Sequence, residues 1–172
     1  QLKEIVENYS LYMKQEKLTF AMVDVNTLLE ETVEMVNESA KENGVMIKLY
    51  FLQKNIKAYM NKPNIQQVFI NLIKNSMEAI PSERITKTIF IMIGRQQENL
   101  VITLHDSGTG IKNNQLEEVF SPFTTTKEQG MGMGLAFVKK TILEHRGDIH
   151  IKESSANGTK FEIIIPLYPL AE

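Results

Sequence analysis

Apolar residues recur at three- and four-residue steps through Leu2, Ile5, Val6, Tyr9, Tyr12 and Met13, with Lys3, Glu4, Glu7 and Lys14 between them. This spacing predicts an amphipathic helix that ends near Lys17. Residues 18–24 read as a short linker passing into a strand. Asn26 is placed as the N-cap of a helix running through Glu42 and stopped by Asn43-Gly44. The period then falls to two: Val45–Leu52 alternates as a strand and Ile56–Met60 gives a shorter one. Asn61 is placed as the cap of the next helix, with Pro63 in its first turn and Pro81 at its end. Thr88–Ile93 and Leu100–His105 alternate as hairpin strands around Gln96-Gln97-Glu98-Asn99. Leu135–His145 returns to the helical period, and Asp148–Glu153 with Thr159–Pro166 forms a second hairpin closed by Ala156-Asn157-Gly158. Helices fall early and mid-chain while antiparallel strands cluster late. The expected class is α+β: a two-layer sandwich with a mixed, mostly antiparallel sheet, helices on one face, and a short N-terminal helix outside it.

Length and composition narrow the partners. A chain of 172 residues, 42% hydrophobic, fits one compact domain with a short appendage. A net charge of -2 and a pI near 6.0 give no electrostatic case for nucleic acid. The absence of cysteine excludes a disulfide framework and thiolate metal sites. No apolar run approaches the roughly 20 residues that cross a bilayer, and Gln1 begins no recognisable signal sequence. The expected location is therefore the cytoplasm. Because the sequence opens inside a helix without an initiator methionine, it is expected to be a piece of something longer.

Three polar and glycine clusters carry the candidate chemistry. On the helix NIQQVFINLIKNSMEAI, residues Ile65, Val68, Phe69, Leu72, Ile73, Met77 and Ile80 supply the buried stripe, while Asn71, Asn75 and Glu78 lie on one line. Asparagines a turn apart cost helix propensity and need partners if buried. A solvated stripe accounts for this helix as well as a cation and phosphate site does, although one amide oxygen from Asn75 would suffice for magnesium, which keeps waters and substrate phosphates as its other ligands. In HDSGTGI, Asp106 ends a strand, and Gly108 and Gly110 allow a sharp turn and a close approach to a ligand. Asp106 is either a turn cap or an acceptor for an exocyclic amine such as that of adenine. In FSPFTTTKEQGMGMG, Thr124, Thr125, Thr126 and Lys127 precede Gly130, Gly132 and Gly134, which lead into a helix whose amides can hold an anion. A lid that orders on its ligand and a plain surface loop both fit this stretch. Its GxGxG spacing matches neither the dinucleotide fingerprint nor the phosphate loop of the P-loop NTPases.

Taken in order, these blocks resemble the motifs of the histidine kinases. NIQQVFINLIKNSMEA resembles the N box, DSGTGI the first glycine box, VFSPFTTTK the F box and GMGMGLAFVKKTILEHRGDI the second glycine box; GTKFEIIIPL is similar to the last strand of the same domain. Each motif is weak alone, and the set is specific. Over about residues 20–167 the chain looks like the catalytic ATP-binding domain of a two-component sensor histidine kinase of the GHKL superfamily, with the Bergerat-type fold, most like sporulation-type kinases of spore-forming bacteria.

The resemblance implies roles at matching positions. Asn75 would ligate Mg2+, and Asn71 would position phosphate. Asp106 would hydrogen-bond the adenine amine, supported by Thr159 through water, with Gly108, Gly110 and Ile111 lining the base pocket. Thr126, Lys127, Gly130 and the backbone of Gly132, Met133, Gly134 and Leu135 would hold the phosphates, and residues 112–133 would form the ATP lid. Related chaperones, topoisomerases and serine kinases carry a glutamate as general base where this chain has Asn71, and an asparagine cannot take a proton. Transfer to a histidine is thus expected over ATP hydrolysis, with a GHKL ATPase, a protein serine kinase or a non-catalytic nucleotide-sensing docking module as the alternatives. None of His105, His145 and His150 matches the acceptor. Residues 1–17 would be the end of a dimerisation hairpin helix, residues 18–24 a linker and first strand, and residues 25–172 the ATP-binding domain. The expected partners are ATP, the parent kinase's own phosphoacceptor domain and a response regulator, but no nucleic acid. The chain itself is expected to be a monomer and the parent kinase a homodimer, with membrane attachment of the parent left open.

Overall fold

The structure is a computed structural model that describes residues 2–13, 18–124 and 133–168. Its elements are α1 (Leu2–Met13), β1 (Ala21–Asp24), α2 (Val25–Glu42), β2 (Met46–Phe51), β3 (Lys57–Met60), α3 (Lys62–Ala79), β4 (Thr88–Gln96), β5 (Asn99–Asp106), α4 (Gly134–Glu144), β6 (Asp148–Ser155) and β7 (Gly158–Pro166), with a single 3-10 turn at Asn113–Gln115. Five strands form one sheet in the order β2-β4-β5-β7-β6, and β1 pairs with β3 in a separate two-stranded ribbon. Within the large sheet only β2 and β4 run parallel, and the other neighbours are antiparallel. The mixed, mostly antiparallel sheet expected from the sequence is present.

Alternation on the strands decides which face is covered. Ile89, Ile91 and Ile93 on β4, Leu100, Ile102 and Leu104 on β5, and Phe161, Ile163 and Ile165 on β7 all point inward and are buried. They meet Leu28, Leu29 and Val36 of α2, Val68, Phe69, Leu72 and Ile73 of α3, and Val138 and Ile142 of α4 in one core. Burying each large apolar side chain is worth about 1.5–3 kcal/mol, so this single seam supplies most of the cohesion. The opposite sheet face stays open. There Tyr50 stacks on Phe90 at 6.2 Å, and Glu162 pairs with Lys152 at 2.8 Å and His150 at 3.2 Å.

Local signals agree with most boundaries, and one cap moves. Asp24, not Asn26, caps α2, its side chain accepting from the Thr27 amide at 3.0 Å. Asn26 is drawn into a tertiary contact instead. Its Nδ2 donates to Gln53 O and its Oδ1 accepts from the Ile56 amide, both at 3.0 Å. Asn61 caps α3 as expected, with Pro63 in the first turn. The β4–β5 strands run longer than the alternation indicated and leave Gln97-Glu98 as the connection, with Gln97 at φ 54.

α1 lies against α4. Glu4 pairs with Lys74 of α3 at 3.7 Å, and Lys140 sits 5.8 Å from the Tyr12 ring. Leu2, Val6, Tyr9 and Met13, four of the six apolar positions in its sequence pattern, remain exposed. Residues 14–17 of the expected helix lie outside the described residues.

Candidate functional site

One edge of the helical layer gathers the asparagine line, the Asp106 loop and the start of α4. α3 presents Asn71 and Asn75 half-buried on one line, with Glu78 exposed beyond them. The Asn71 amide is oriented from both sides: Oδ1 accepts from Gln67 Nε2 at 2.8 Å, and Nδ2 donates to Gly134 O at 3.4 Å. This second contact joins the asparagine line directly to the first residue of α4. Gln67 was missed at the sequence level, although its position one turn before Asn71 was a readable signal.

Asp106 ends β5 and is 3% exposed. Its Oδ1 accepts from the Gly108 amide at 2.9 Å and from the Thr159 amide at 3.1 Å. Among the described residues no donor reaches Oδ2, so one oxygen of a buried carboxylate is fixed by backbone while the other remains able to accept. The Thr159 backbone amide thus holds Asp106 directly.

Close packing explains the glycines. A Cβ on Gly108 would stand 2.8 Å from Asp106 Oδ1 and 2.9 Å from Ala79 O. Gly110, at φ +80, would place one 2.1 Å from Ser155 O; Gly158, at φ +132, would place one 1.8 Å from Asp106 O. The first glycine loop is therefore clamped between the end of α3 and the β6–β7 hairpin. Ser154 reinforces it, its Oγ accepting from the Ile111 amide at 2.7 Å. Arg84 Nη2 donates to Gly108 O at 2.9 Å and to Ala156 O at 3.1 Å, fastening the loop to the hairpin. Arg84 and Ser154 carry no motif signal, because their contacts are long-range in sequence.

α4 begins at Gly134 after the buried Met133, with no side-chain cap. Among the described residues no side chain caps the amides of its first turn, including that of Leu135, and such amides can receive an anion. Thr126, Lys127, Gly130 and Gly132 lie outside the described residues. The described start of the 112–133 segment holds Phe120, edge-on to Phe161 at 6.3 Å and below Lys139 at 5.7 Å.

The histidines stand elsewhere. His105 is half-buried on the open sheet face and His150 is 3.2 Å from Glu162. His145 is buried at the end of α4. Burial holds its imidazole pKa below the ordinary value, partly offset by its hydrogen bond to Thr141 O and by the nearby Glu144. Among the described residues no group of three or more His, Cys, Asp or Glu side chains is placed to hold a metal. A cation here would rely on an amide oxygen such as that of Asn75 together with oxygens of its ligand. No helix among them is long and apolar enough to cross a membrane.

Known proteins share this fold. The sequence model of the family described as "Histidine kinase-, DNA gyrase B-, and HSP90-like ATPase" matches residues 60–169. Sporulation kinase E of Bacillus subtilis (strain 168) is 30% identical over 172 residues, covering 99% of this chain and 23% of that protein. Sporulation kinase A of the same organism is 33% identical over 144 residues, covering 84% and 23%. The chain thus spans about a quarter of the length of these two relatives. Among solved structures, the catalytic domain of the histidine kinase ThkA superposes with a TM-score of 0.80 at 28% identity, covering 88% of this chain and 98% of that one. ThkA in complex with the response regulator protein TrrA gives a TM-score of 0.81 at 28% identity, covering 96% and 47%. The chain belongs to the histidine kinase-, DNA gyrase B- and HSP90-like ATPases, and within them it is a catalytic ATP-binding domain of the histidine kinase kind.

Proposed function

We propose that the chain binds Mg-ATP in the crevice between α3, the end of β5 and the start of α4, and donates the γ-phosphoryl group to a histidine on a helical dimerisation domain. The observation that carries this reading is Asp106: a buried carboxylate with one oxygen locked by two amides and the other able to accept from the adenine amine. Gly108, Gly110 and Ile111 line the base, and Thr159 holds Asp106 in place. Asn75 supplies an amide oxygen to Mg2+, which when bound neutralises phosphate charge. Asn71 orients phosphate, and Thr126, Lys127, Gly130 and the amides of Gly132, Met133, Gly134 and Leu135 receive the phosphate oxygens.

Asn71 selects the acceptor. An amide takes no proton, so it cannot activate water or a hydroxyl, whereas a neutral imidazole brings its own nucleophilic lone pair. The bond from the γ-phosphorus to its bridging oxygen breaks, a phosphorus–nitrogen bond forms, and ADP leaves with that oxygen. His145 has both ring nitrogens engaged and His150 contacts Glu162, which supports an acceptor on another domain. The exposed line Leu2, Val6, Tyr9 and Met13, spaced by four, three and four, supports α1 as the end of a bundle helix. In the parent kinase, a homodimer, that bundle would pass the phosphoryl group to a response regulator.

Labelled ATP tests the reading. The chain alone is expected to remain unlabelled, and addition of a separate dimerisation domain to give acid-labile label on that domain. Label on His105, His145 or His150 would overturn the choice of acceptor. Steady phosphate release without the added domain would place the chain with the ATPases instead.

A further inference from the structure

α3 and α4 are tied to each other at two points. At the nucleotide end, Asn71 Nδ2 donates to Gly134 O at 3.4 Å. Beyond the far end of α4, the backbone amide of Asn61 donates to His145 Nε2 at 3.0 Å. The stretch from Asn61 to Asn71 on α3 and that from Gly134 to His145 on α4 both span roughly 15 Å at the helical rise, so the two ties agree in spacing and set the helices antiparallel.

The His145 tautomer follows from its partners. Nδ1 lies 2.8 Å from Thr141 O, which only accepts, so Nδ1 carries the hydrogen and Nε2 keeps the lone pair that receives the Asn61 amide. That amide belongs to the N-cap of α3, whose side chain accepts from the Asn64 amide at 3.0 Å. In a capping box, a glutamate or glutamine at the third helical position would reach back to the cap's own amide. The third position here is Asn64, and the acceptor comes from another helix. The segment between α1 and β1 meets the same joint. Asn61 Nδ2 donates to Thr19 O at 2.9 Å, and the Phe20 ring lies 4.8 Å from that of His145 and 5.8 Å from that of Tyr59.

We propose that His145 is a positioning residue for phosphate binding: its imidazole fixes the axial register of α4 on α3, setting the start of α4 against Asn71 and Asn75, and anchors residues 18–20 to the same joint. The inference rests on the nucleotide reading above and adds to it a residue outside the crevice. A shift of register moves the first amides of α4 but leaves Asp106, which is held by β5 and β7. The phosphates therefore lose contacts that the base keeps.

Calorimetry with Mg-ATP and with adenosine separates these effects. His145→Asn keeps the bond to Thr141 O but stops short of Asn61; it is expected to weaken Mg-ATP roughly tenfold and adenosine less than about twofold. His145→Gln, long enough to offer Oε1 to the Asn61 amide, is expected to restore Mg-ATP binding to within about twofold of the unaltered chain. Equal losses of both ligands, no loss of Mg-ATP, or no recovery in His145→Gln would overturn the proposal. If a variant does not fold, the unaltered chain decides: the Asn61 amide must gain protection from hydrogen exchange with Mg-ATP but not with adenosine, and an equal response to both rejects the coupling. An unaltered chain that binds neither ligand would overturn the nucleotide reading, and this inference with it.

Discussion

Replacing Asp106 by asparagine separates its two oxygens. The amide oxygen can still accept from Gly108 and Thr159, while Nδ2 then faces the adenine amine donor to donor. The fold is expected to persist and ATP affinity to fall by about 2 kcal/mol, roughly thirtyfold, as measured by calorimetry. The same variant should prefer an inosine nucleotide, whose oxygen at that position accepts from Nδ2; unchanged base preference would reject the role. Asp106 was legible in the sequence because a strand-ending aspartate before two glycines is a local pattern. Arg84 was not, since it acts on residues far away along the chain. His145 has its own consequence. Burial lowers its pKa from 6.5, so the unfolded chain takes up the proton first as the pH falls. Its contribution to stability is full above pH 6.5 and declines below it, by up to about 1.4 kcal/mol per pH unit. Glu144 works against this shift. Urea midpoints between pH 8 and 5 are expected to drop below pH 6.5 in the unaltered chain and to drop less in His145→Gln.

Between elements, the clasp of the first glycine loop by the β6–β7 hairpin is the most demanding contact. An alanine at Gly158 would bring Cβ to 1.8 Å from Asp106 O with φ at +132. Gly158→Ala is expected to cost at least about 2–4 kcal/mol and to remove nucleotide protection against thermal unfolding. A melting curve unchanged with and without ATP would show that the hairpin does not brace the site. Caps show where element-level reading succeeds and where it fails. Asn61 was readable because its side chain serves the helix it precedes. Asp24 and Asn26 are equally good caps by type, and only the pull of Gln53 and Ile56 on Asn26 separates them. Strand pairing was likewise hidden: alternation identifies a buried face, but not that β2 lies parallel to β4 or that β1 leaves the large sheet for β3.

Across the molecule, cohesion is uneven. The sheet and α2, α3 and α4 share one core, whereas the contacts seen for α1 among the described residues include a part-exposed ion pair and a ring contact. Exposed pairs of this kind are worth about 0–1 kcal/mol. Removing residues 1–17 is therefore expected to lower the melting temperature by no more than about 2–4 °C. It should also raise solubility, because an apolar line leaves the surface. A loss well beyond that range would make α1 an integral part of the domain. Strand order has a further consequence. β7, nearly last in the chain, lies between β5 and β6 and supplies the Thr159 amide that fixes Asp106. A polypeptide without this strand carries the Asp106 loop and both asparagines, yet it lacks the amide that fixes the Asp106 carboxylate. Assembly around Asp106 therefore waits on the pairing of β7 with β5, which brings the Thr159 amide to its carboxylate.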